Sequence, residues 1–126
     1  MNNNILILKS FKDNLIIFFD ELIGLLPTEG DIIIARLFLK DKLPILDIMN
    51  YFISKILPLK QLVQERNSSF FIDNNILFVE MNKDKVNHFK KIWRSGNLDD
   101  DDKETIFKWF DTFIILVEKY QKNLLV

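Results

Sequence analysis

The sequence predicts an all-α protein, a compact single-domain bundle of five or six helices over residues 1–126. Apolar residues recur at spacings of three and four along most of the chain, which is the spacing of one helix face. Prolines and short polar turns divide the chain into segments of helix length. A hydrophobic content of 48% in 126 residues is ample for one core and argues against disorder.

The clearest element is an amphipathic helix over residues 100–120, which we expect to be central because apolar residues cover much of its circumference. Four aspartates, residues 99–102, precede it, and their oxygens and charge suit the free N–H groups at a helix N-terminus. We interpret this run as a helix cap rather than a cation site, because it lacks the spaced ligands and the glycine of a calcium loop. The predicted stripe consists of Ile106, Trp109, Phe110, Phe113, Val117 and Tyr120.

The first helix is predicted over residues 5–26. Pro27 ends it, because the residue before a proline leaves helical geometry. Its stripe consists of Leu8, Phe11, Leu15, Phe18, Leu22, Ile23 and Leu26.

The second helix is predicted over residues 31–42, although a run of three isoleucines near its start favours a strand by β-propensity. We prefer a helix because no partner strand is visible in the sequence and the apolar spacing is helical. The residues that keep this spacing are Ile33, Leu37 and Lys40, with Ile34 and Phe38 beside them.

The third helix is predicted over residues 44–57, with Pro44 at its first position. The N–H that proline lacks would have no acceptor within the helix there. Pro58 then predicts a kink or a restart, because it removes a backbone hydrogen bond and crowds the preceding turn. A short helix over residues 59–66 follows. The stripe of the third helix consists of Ile45, Ile48, Met49, Phe52, Ile53 and Ile56.

Residues 70–79 leave two alternatives open. The Asp73-Asn74-Asn75 cluster between two apolar runs is typical of the turn of a short β-hairpin, and it is equally typical of a loop followed by a helix. Residues 84–94 predict another helix, with Gly96 in the C-terminal capping position.

Three phenylalanines flank this polar loop and are the first candidate site. If exposed, they would form a partner-binding patch. If buried, they would close one end of the bundle, which is the favoured interpretation. These residues are Phe70, Phe71 and Phe78.

A basic cluster near Trp93 is the second candidate site and the one local indication of nucleic-acid binding. Asp84 and the nearby aspartate run dilute its charge, so a solvated helix face is the favoured interpretation. The cluster consists of Lys83, Lys85, Lys90, Lys91 and Arg94.

The composition argues against several classes of function. The chain has no Cys, one His (His88) and three Gly, which do not suffice for a zinc thiolate site, a Ser-His-Asp triad or a glycine-rich phosphate loop. We therefore expect no enzyme, no cofactor and no metal. The net charge of −1 does not favour nucleic acid. The N-terminus lacks the basic residues of a secretory signal, and no apolar run approaches the ~18 residues of a membrane span.

The order of several segments carries a resemblance. An aromatic and leucine-rich helix ends in Leu-Pro, an Asp-bearing turn and an X-Pro restart follow, and a Trp, an acidic turn and a Lys-Trp helix close the chain. In this order the segments resemble short proteins encoded by giant viruses, the nucleocytoplasmic large DNA viruses. The segments are residues 11–27, Gly30-Asp31, Leu43-Pro44, residues 70–73, Trp93, and residues 103–120 with Lys108-Trp109 and Lys119-Tyr120.

The resemblance covers most of the chain but departs from the set at two points. The proline restart lacks the preceding Asn common in the set, and the tyrosine-rich stretch after the third helix is here Ile56-Leu57-Pro58-Leu59. The resemblance implies a helical fold and a viral origin, with a place in the virion or in the viral factory of the infected host cytoplasm. The resemblance assigns no catalytic residue to this chain.

Taken together, the sequence predicts a non-enzymatic viral interaction or structural protein that binds protein partners through apolar helix faces. Surplus apolar faces on several helices favour self-association as a homodimer. The alternative function is a nucleic-acid-associated regulator that uses the basic cluster around Lys90.

Overall fold

The computed structural model describes residues 3–73 and 90–124, and within these ranges the chain is helical with no β-strand. The predicted all-α fold is therefore confirmed. Buried side chains from the helices at both ends of the chain meet in one hydrophobic core. The helices are α1 (Asn3–Leu25), α2 (Gly30–Asp41), α3 (Ile45–Tyr51), α4 (Lys60–Gln64), α5 (Ser69–Ile72), α6 (residues 90–94) and α7 (Asp100–Leu124).

The two longest helices, α1 and α7, pack antiparallel. The ring of Phe11 lies 6.1 Å from that of Phe113, and the ring of Phe18, further along α1, lies 5.7 Å from that of Phe110, earlier in α7. Beyond them, the Trp109 Nε1–H donates a 2.7 Å hydrogen bond to a carboxylate oxygen of Glu21. The predicted stripe of α7 is buried except for Trp109, which is half-buried and uses its polar edge at the rim of the interface.

The ring of Phe110 is completely buried and joins two groups of aromatic side chains. On one side it lies 5.7 Å from Phe18 and 6.4 Å from Phe52. On the other side it lies 5.1 Å from Phe70 and 5.4 Å from Phe71. Most of these pairs meet edge to face, the arrangement that the ring quadrupole favours. One side chain of α7 thus contacts α1, the segment after α3, and α5.

The segment around Pro58 changes helical type instead of bending smoothly. A π-helix over Phe52–Ile56 continues α3 and is followed by a 3₁₀ turn over Leu57–Leu59, after which α4 begins. Because a proline cannot donate the backbone bond that an α-helix requires, the regular ladder cannot pass through it. The predicted restart is therefore confirmed. The wide turn still buries Phe52 and Ile56 in the core.

The second helix is confirmed, but the face assigned to it from the sequence is wrong. α2 packs against α1 and buries Ile32 and Leu39, which lie two turns apart on one side. The residues expected to pack, Ile33, Ile34 and Leu37, lie on the opposite side and are about half exposed.

The region after α4 also differs from expectation at two points. Residues 70–72 belong to α5, so the hairpin alternative is wrong there, and residues 74–79 lie outside the described residues. Gly96 does not adopt the left-handed backbone of a glycine cap. Instead the Ser95 hydroxyl donates to the Ile92 carbonyl and accepts from the Asn97 N–H.

The aspartate run before α7 caps the helix, as predicted, and the structure shows that the cap is reciprocal. The backbone N–H of Asp102 donates a 2.7 Å bond to the Asp99 carboxylate, and the N–H of Asp99 donates to the Asp102 carboxylate at 3.2 Å. This is the geometry of a capping box, and the negative charges also favour the positive end of the helix dipole.

We expect Asp99→Ala to lower the free energy of unfolding by about 1 kcal/mol, because the Asp102 N–H loses its acceptor. Asp99→Asn should retain most of that stability, because an amide oxygen caps as well as a carboxylate. Asp100→Ala is the matched control, since it removes the same charge without a capping bond. Urea unfolding of the three variants measures the difference, and equal losses for Asp99→Ala and Asp100→Ala would contradict the capping role.

We expect Phe110→Ala to lower the free energy of unfolding by about 3–5 kcal/mol, because it leaves a cavity between the two aromatic groups. Phe19→Ala removes the same atoms from a half-buried ring that packs on Phe18, and should cost less than half as much. Denaturant titration followed by circular dichroism compares them. Similar losses for the two variants would show that Phe110 holds no special position.

Candidate functional site

The candidate site is the outward face of α2, formed by Ile33, Ile34 and Leu37, which we call the α2 face. Their side chains are 43%, 53% and 52% exposed. Leu37 lies four residues after Ile33 and three after Ile34, and residues three and four apart are neighbours on a helix, so the three form one continuous apolar surface. Single exposed aliphatic residues are normal on a protein surface, but a contiguous group on one helix marks a place where another surface can pack.

Charged residues of opposite sign lie at the two ends of the α2 face. Glu29 immediately precedes the helix, and its carbonyl accepts the first helical hydrogen bond from the Ile32 N–H at 3.1 Å. Lys40 lies in the last turn and is exposed. Lys40 follows Leu37 by three residues and therefore lies on the same side of the helix as the apolar strip. Glu29 lies before the first helical residue, so this spacing does not place its side chain.

The inner side of α2 fixes the orientation of this face. Ile32 and Leu39 are 4% exposed and anchor the helix on the core. The Arg36 guanidinium, at the edge between the two sides, forms an ion pair with the Asp20 carboxylate of α1. An exposed ion pair of this kind contributes little stability, but it supports one rotation of α2 over others. The α2 face consequently points away from α1.

The phenylalanine patch predicted from the sequence is not available on the surface as proposed. Phe70 is fully buried, with its ring 4.8 Å from that of Phe71 and 5.1 Å from that of Phe110. Phe71 is half-buried and packs 4.3 Å from the Trp93 ring. Both residues therefore stabilise the core, in agreement with the interpretation that the sequence favoured. Phe78 lies outside the described residues.

The basic cluster is only partly placed by the structure. Lys83, Lys85 and His88 lie outside the described residues. Of the remaining members, Lys91 and Arg94 are exposed and Lys90 is half-buried.

Trp93, the aromatic residue beside this basic cluster, is not free to stack on a nucleic-acid base. It is 6% exposed and packs against Phe71 and Phe107. The Lys103 amine lies 5.4 Å from the centre of its ring. Exposed aspartates follow within a few residues, at 99–101. The described part of the cluster thus presents two exposed cations beside acidic residues.

The main electrostatic contact of the described chain involves Arg66, a residue that the sequence analysis did not identify. Its guanidinium donates two hydrogen bonds to Glu104, both at 3.0 Å, and two to Asp111, at 2.8 and 3.0 Å. It also lies 5.6 Å from the centre of the Phe107 ring. The hydrogen bond to Asp111, above all, and the contacts with Glu104 raise the pKa of Arg66 above its ordinary value, so it remains charged.

The backbone of Arg66 explains why this side chain reaches α7. Its φ of +56° is left-handed, the conformation that usually requires glycine at a helix end. The Arg66 N–H bonds to the Val63 carbonyl and the Asn67 N–H to the Leu62 carbonyl, which is a Schellman motif ending α4. The ion pairs offset the roughly 1 kcal/mol that a left-handed non-glycine residue costs. Arg66 therefore joins α4 to α7 and helps to position the following α5.

A shallow, open cleft of about 350 Å³ lies between the start of α1 and the end of α7. Leu6 and Ile7 line one side, and Lys119, Lys122 and Asn123 line the other. Among the described residues, this lining combines an apolar wall with two amines and includes no carboxylate or hydroxyl side chain.

Three further observations leave the function of the chain unassigned. The part of the chain that the structure describes has no group of three or more His, Cys, Asp or Glu side chains arranged to hold a metal ion. None of its helices is long and apolar enough to cross a membrane. No family model, curated protein or solved structure matches the chain.

We expect Arg66→Ala to lower the free energy of unfolding by about 1–2 kcal/mol, because both ion pairs are lost while the left-handed backbone remains. Arg66→Gly loses the same ion pairs but adopts the left-handed backbone without steric cost. Its free energy of unfolding should therefore be about 1 kcal/mol higher than that of the alanine variant. Urea unfolding tests this order. If the glycine variant were no more stable than the alanine variant, the left-handed conformation would not be costly at this position.

Proposed function

We propose that this chain is a non-enzymatic protein-interaction or structural protein, of viral origin, that binds a protein through the α2 face. The observation that carries the proposal is the half exposure of three large aliphatic side chains on one side of α2. The helix already has a buried side, formed by Ile32 and Leu39, so the exposed side is not needed to hold it on the bundle.

The size of the α2 face suits an anchor at the centre of a protein interface. Its exposed side chains offer roughly 250 Å² of apolar surface, somewhat less than the ~300–600 Å² of the largest apolar patch on a typical monomer, so the face could form only the centre of a larger interface. Covering that area corresponds to about 6 kcal/mol of gross hydrophobic free energy. Association costs a comparable amount, so polar contacts at the edge of the face must add to the apolar ones.

The charge at the end of the α2 face supplies such a contact. Lys40 is exposed, is aligned with the strip and does not lie between its apolar side chains. A polar rim around an apolar centre is the usual organisation of a protein interface. The partner's helix or strand would therefore carry an apolar stripe with a carboxylate opposite Lys40.

The proposed viral origin rests on the order of segments described above, which resembles short helical proteins of giant viruses. In that setting the interaction would serve assembly in the viral factory or the structure of the virion.

Photocrosslinking in the cells that naturally express the chain tests the proposal. A benzophenone amino acid in place of Leu37 should form covalent adducts with protein, because the α2 face is covered in the cell. The same amino acid in place of Ile115 is the matched control, since Ile115 is also 52% exposed but lies on α7.

Protein adducts that are much stronger from position 37 than from position 115 support the proposal. Equal or absent protein adducts at the two positions contradict it. Adducts with nucleic acid from a benzophenone in place of Arg94, without protein adducts from position 37, would favour the alternative function through the basic cluster.

A further inference from the structure

We propose that the end of the bundle where α1 begins and α7 ends binds the surface of a membrane that contains anionic lipids. This end is separate from the α2 face, so the inference does not rest on the proposed function. It is drawn from the exposure of aliphatic side chains there, the lysines behind them, and the distribution of charge along α1 and α7. The basic end, as we call it, consists of Ile5, Leu6, Lys9, Lys119, Lys122 and Leu124.

The basic end carries the three most exposed large hydrophobic side chains of the described residues. Ile5, Leu6 and Leu124 are 65%, 56% and 57% exposed. Because α1 and α7 are antiparallel, these side chains lie at the same end of the bundle, and Leu6 lines the open cleft together with Lys119 and Lys122. A small molecule is usually enclosed by its pocket, whereas this cleft is shallow and open. It therefore suits a broad surface that exposed aliphatic side chains can enter.

The lysines lie behind these aliphatic side chains along the helix axes. Lys9 follows Ile5 by four residues, so its Cα atom lies about 6 Å further from the end. Lys119 precedes Leu124 by five residues, which corresponds to about 7.5 Å. In a bilayer the charged headgroups lie outside the acyl chains, and interfacial helices bury their apolar side chains about 5–10 Å deep. The order of aliphatic side chains and amines at the basic end matches this layering, which an acidic protein surface would not require.

The amines of the basic end are available to bind anions. Lys119 and Lys122 are both exposed, and no carboxylate of the described residues forms an ion pair with either. The carboxylate next to them in sequence, that of Glu118, instead accepts a 2.9 Å hydrogen bond from the Lys60 amine of α4. A third lysine thus neutralises the acidic neighbour. Each lysine close to an anionic membrane surface raises the affinity about fivefold.

Charge is divided unequally between the two halves of the α1–α7 pair. Residues 3–14 and 115–124, the half that includes the basic end, carry four lysines and two carboxylates. Residues 15–25 and 99–114 carry eight carboxylates and two lysines. The whole chain has a net charge of −1, so its total charge does not attract it to an anionic surface. The unequal distribution instead turns the basic end towards such a surface.

Flotation of the purified chain with lipid vesicles tests the proposal. The chain should float with vesicles of phosphatidylcholine that contain about 30% phosphatidylserine, and about tenfold less with vesicles of phosphatidylcholine alone, because the amines then lack anionic headgroups. Raising the salt concentration to about 1 M should also release most of the bound chain, because it shortens the range of the electrostatic attraction to about 3 Å.

Two pairs of variants locate the contact. Lys119→Gln should weaken binding to the anionic vesicles about fivefold, and Leu6→Gln about tenfold, because each removes one of the two kinds of contact. Lys108→Gln and Ile17→Gln are the matched controls. Each changes an exposed residue of the same type, eleven residues and about three turns away on the same side of the same helix. Both controls should bind like the unmodified chain, and circular dichroism checks that all four variants are folded.

An environment-sensitive fluorophore reports the insertion itself. Because the chain has no cysteine, Leu6→Cys and Ile17→Cys each provide a single site for a thiol-reactive label. On addition of the anionic vesicles, emission from position 6 should shift to shorter wavelength, as it does in an apolar environment. Emission from position 17 should not shift.

The outcomes are decisive for the basic end alone. Absence of binding to the anionic vesicles, equal binding to both kinds of vesicle, or equal losses for Lys119→Gln and Lys108→Gln overturns the inference. A loss for Lys119→Gln without one for Leu6→Gln also overturns it, because the surface would then bind anions without entering a membrane. None of these results affects the α2 face, which crosslinking at position 37 tests separately.

Discussion

The fold depends on the burial of the Phe110 and Phe113 rings of α7 among aromatic side chains from the rest of the chain. Both rings are fully buried, and they lie 5.5 Å apart. Phe113 faces Phe11 and Phe18 of α1, while Phe110 also reaches the rings of α5. Each aromatic ring buries a large apolar area, so this cluster supplies a major share of the hydrophobic free energy that opposes chain entropy. The capping box at Asp99 and the Arg66 ion pairs fix where α7 begins and what packs beside it.

This arrangement explains why α2 differs from the other long helices. α1 and α7 contribute most of the aromatic cluster, whereas α2 docks on the outside of α1 through Ile32 and Leu39. A peripheral helix needs only one narrow buried side to be held in place. The apolar residues on its other side are therefore surplus to the fold of a single copy, and they are the basis of the proposed interaction.

Much of the fold could be predicted from the sequence because the buried side chains of α1 and α7 recur at helical spacing. Periodicity then identifies the buried stripe, as at Phe11, Leu15 and Phe18. In α2 the same reasoning failed. Ile32, Ile33 and Ile34 follow one another at 100° steps, so apolar residues cover more than half of the helix, and spacing cannot tell which side packs. Only the docking of α2 on α1 decides that Ile32 is inside and Ile33 outside.

The candidate site was correspondingly hard to find. The sequence analysis recognised that apolar helix faces were in surplus but assigned the partner patch to Phe70, which the core requires. The role of Arg66 could not be predicted from the sequence, because its two carboxylate partners lie 38 and 45 residues away. Nothing in the sequence indicates that an arginine adopts a left-handed backbone conformation there. Contacts of that separation follow from how α4 and α7 are packed together, and local patterns do not encode them.

Hydrogen exchange, measured residue by residue, tests most directly whether α7 is the centre of the bundle and α2 its periphery. The amides of residues 106–120 should exchange most slowly, only through global unfolding, while those of α2 should exchange through a smaller, local opening. Exchange in α7 as fast as in α2 would contradict the account, because the aromatic cluster around Phe110 and Phe113 would then not be the most stable part of the fold.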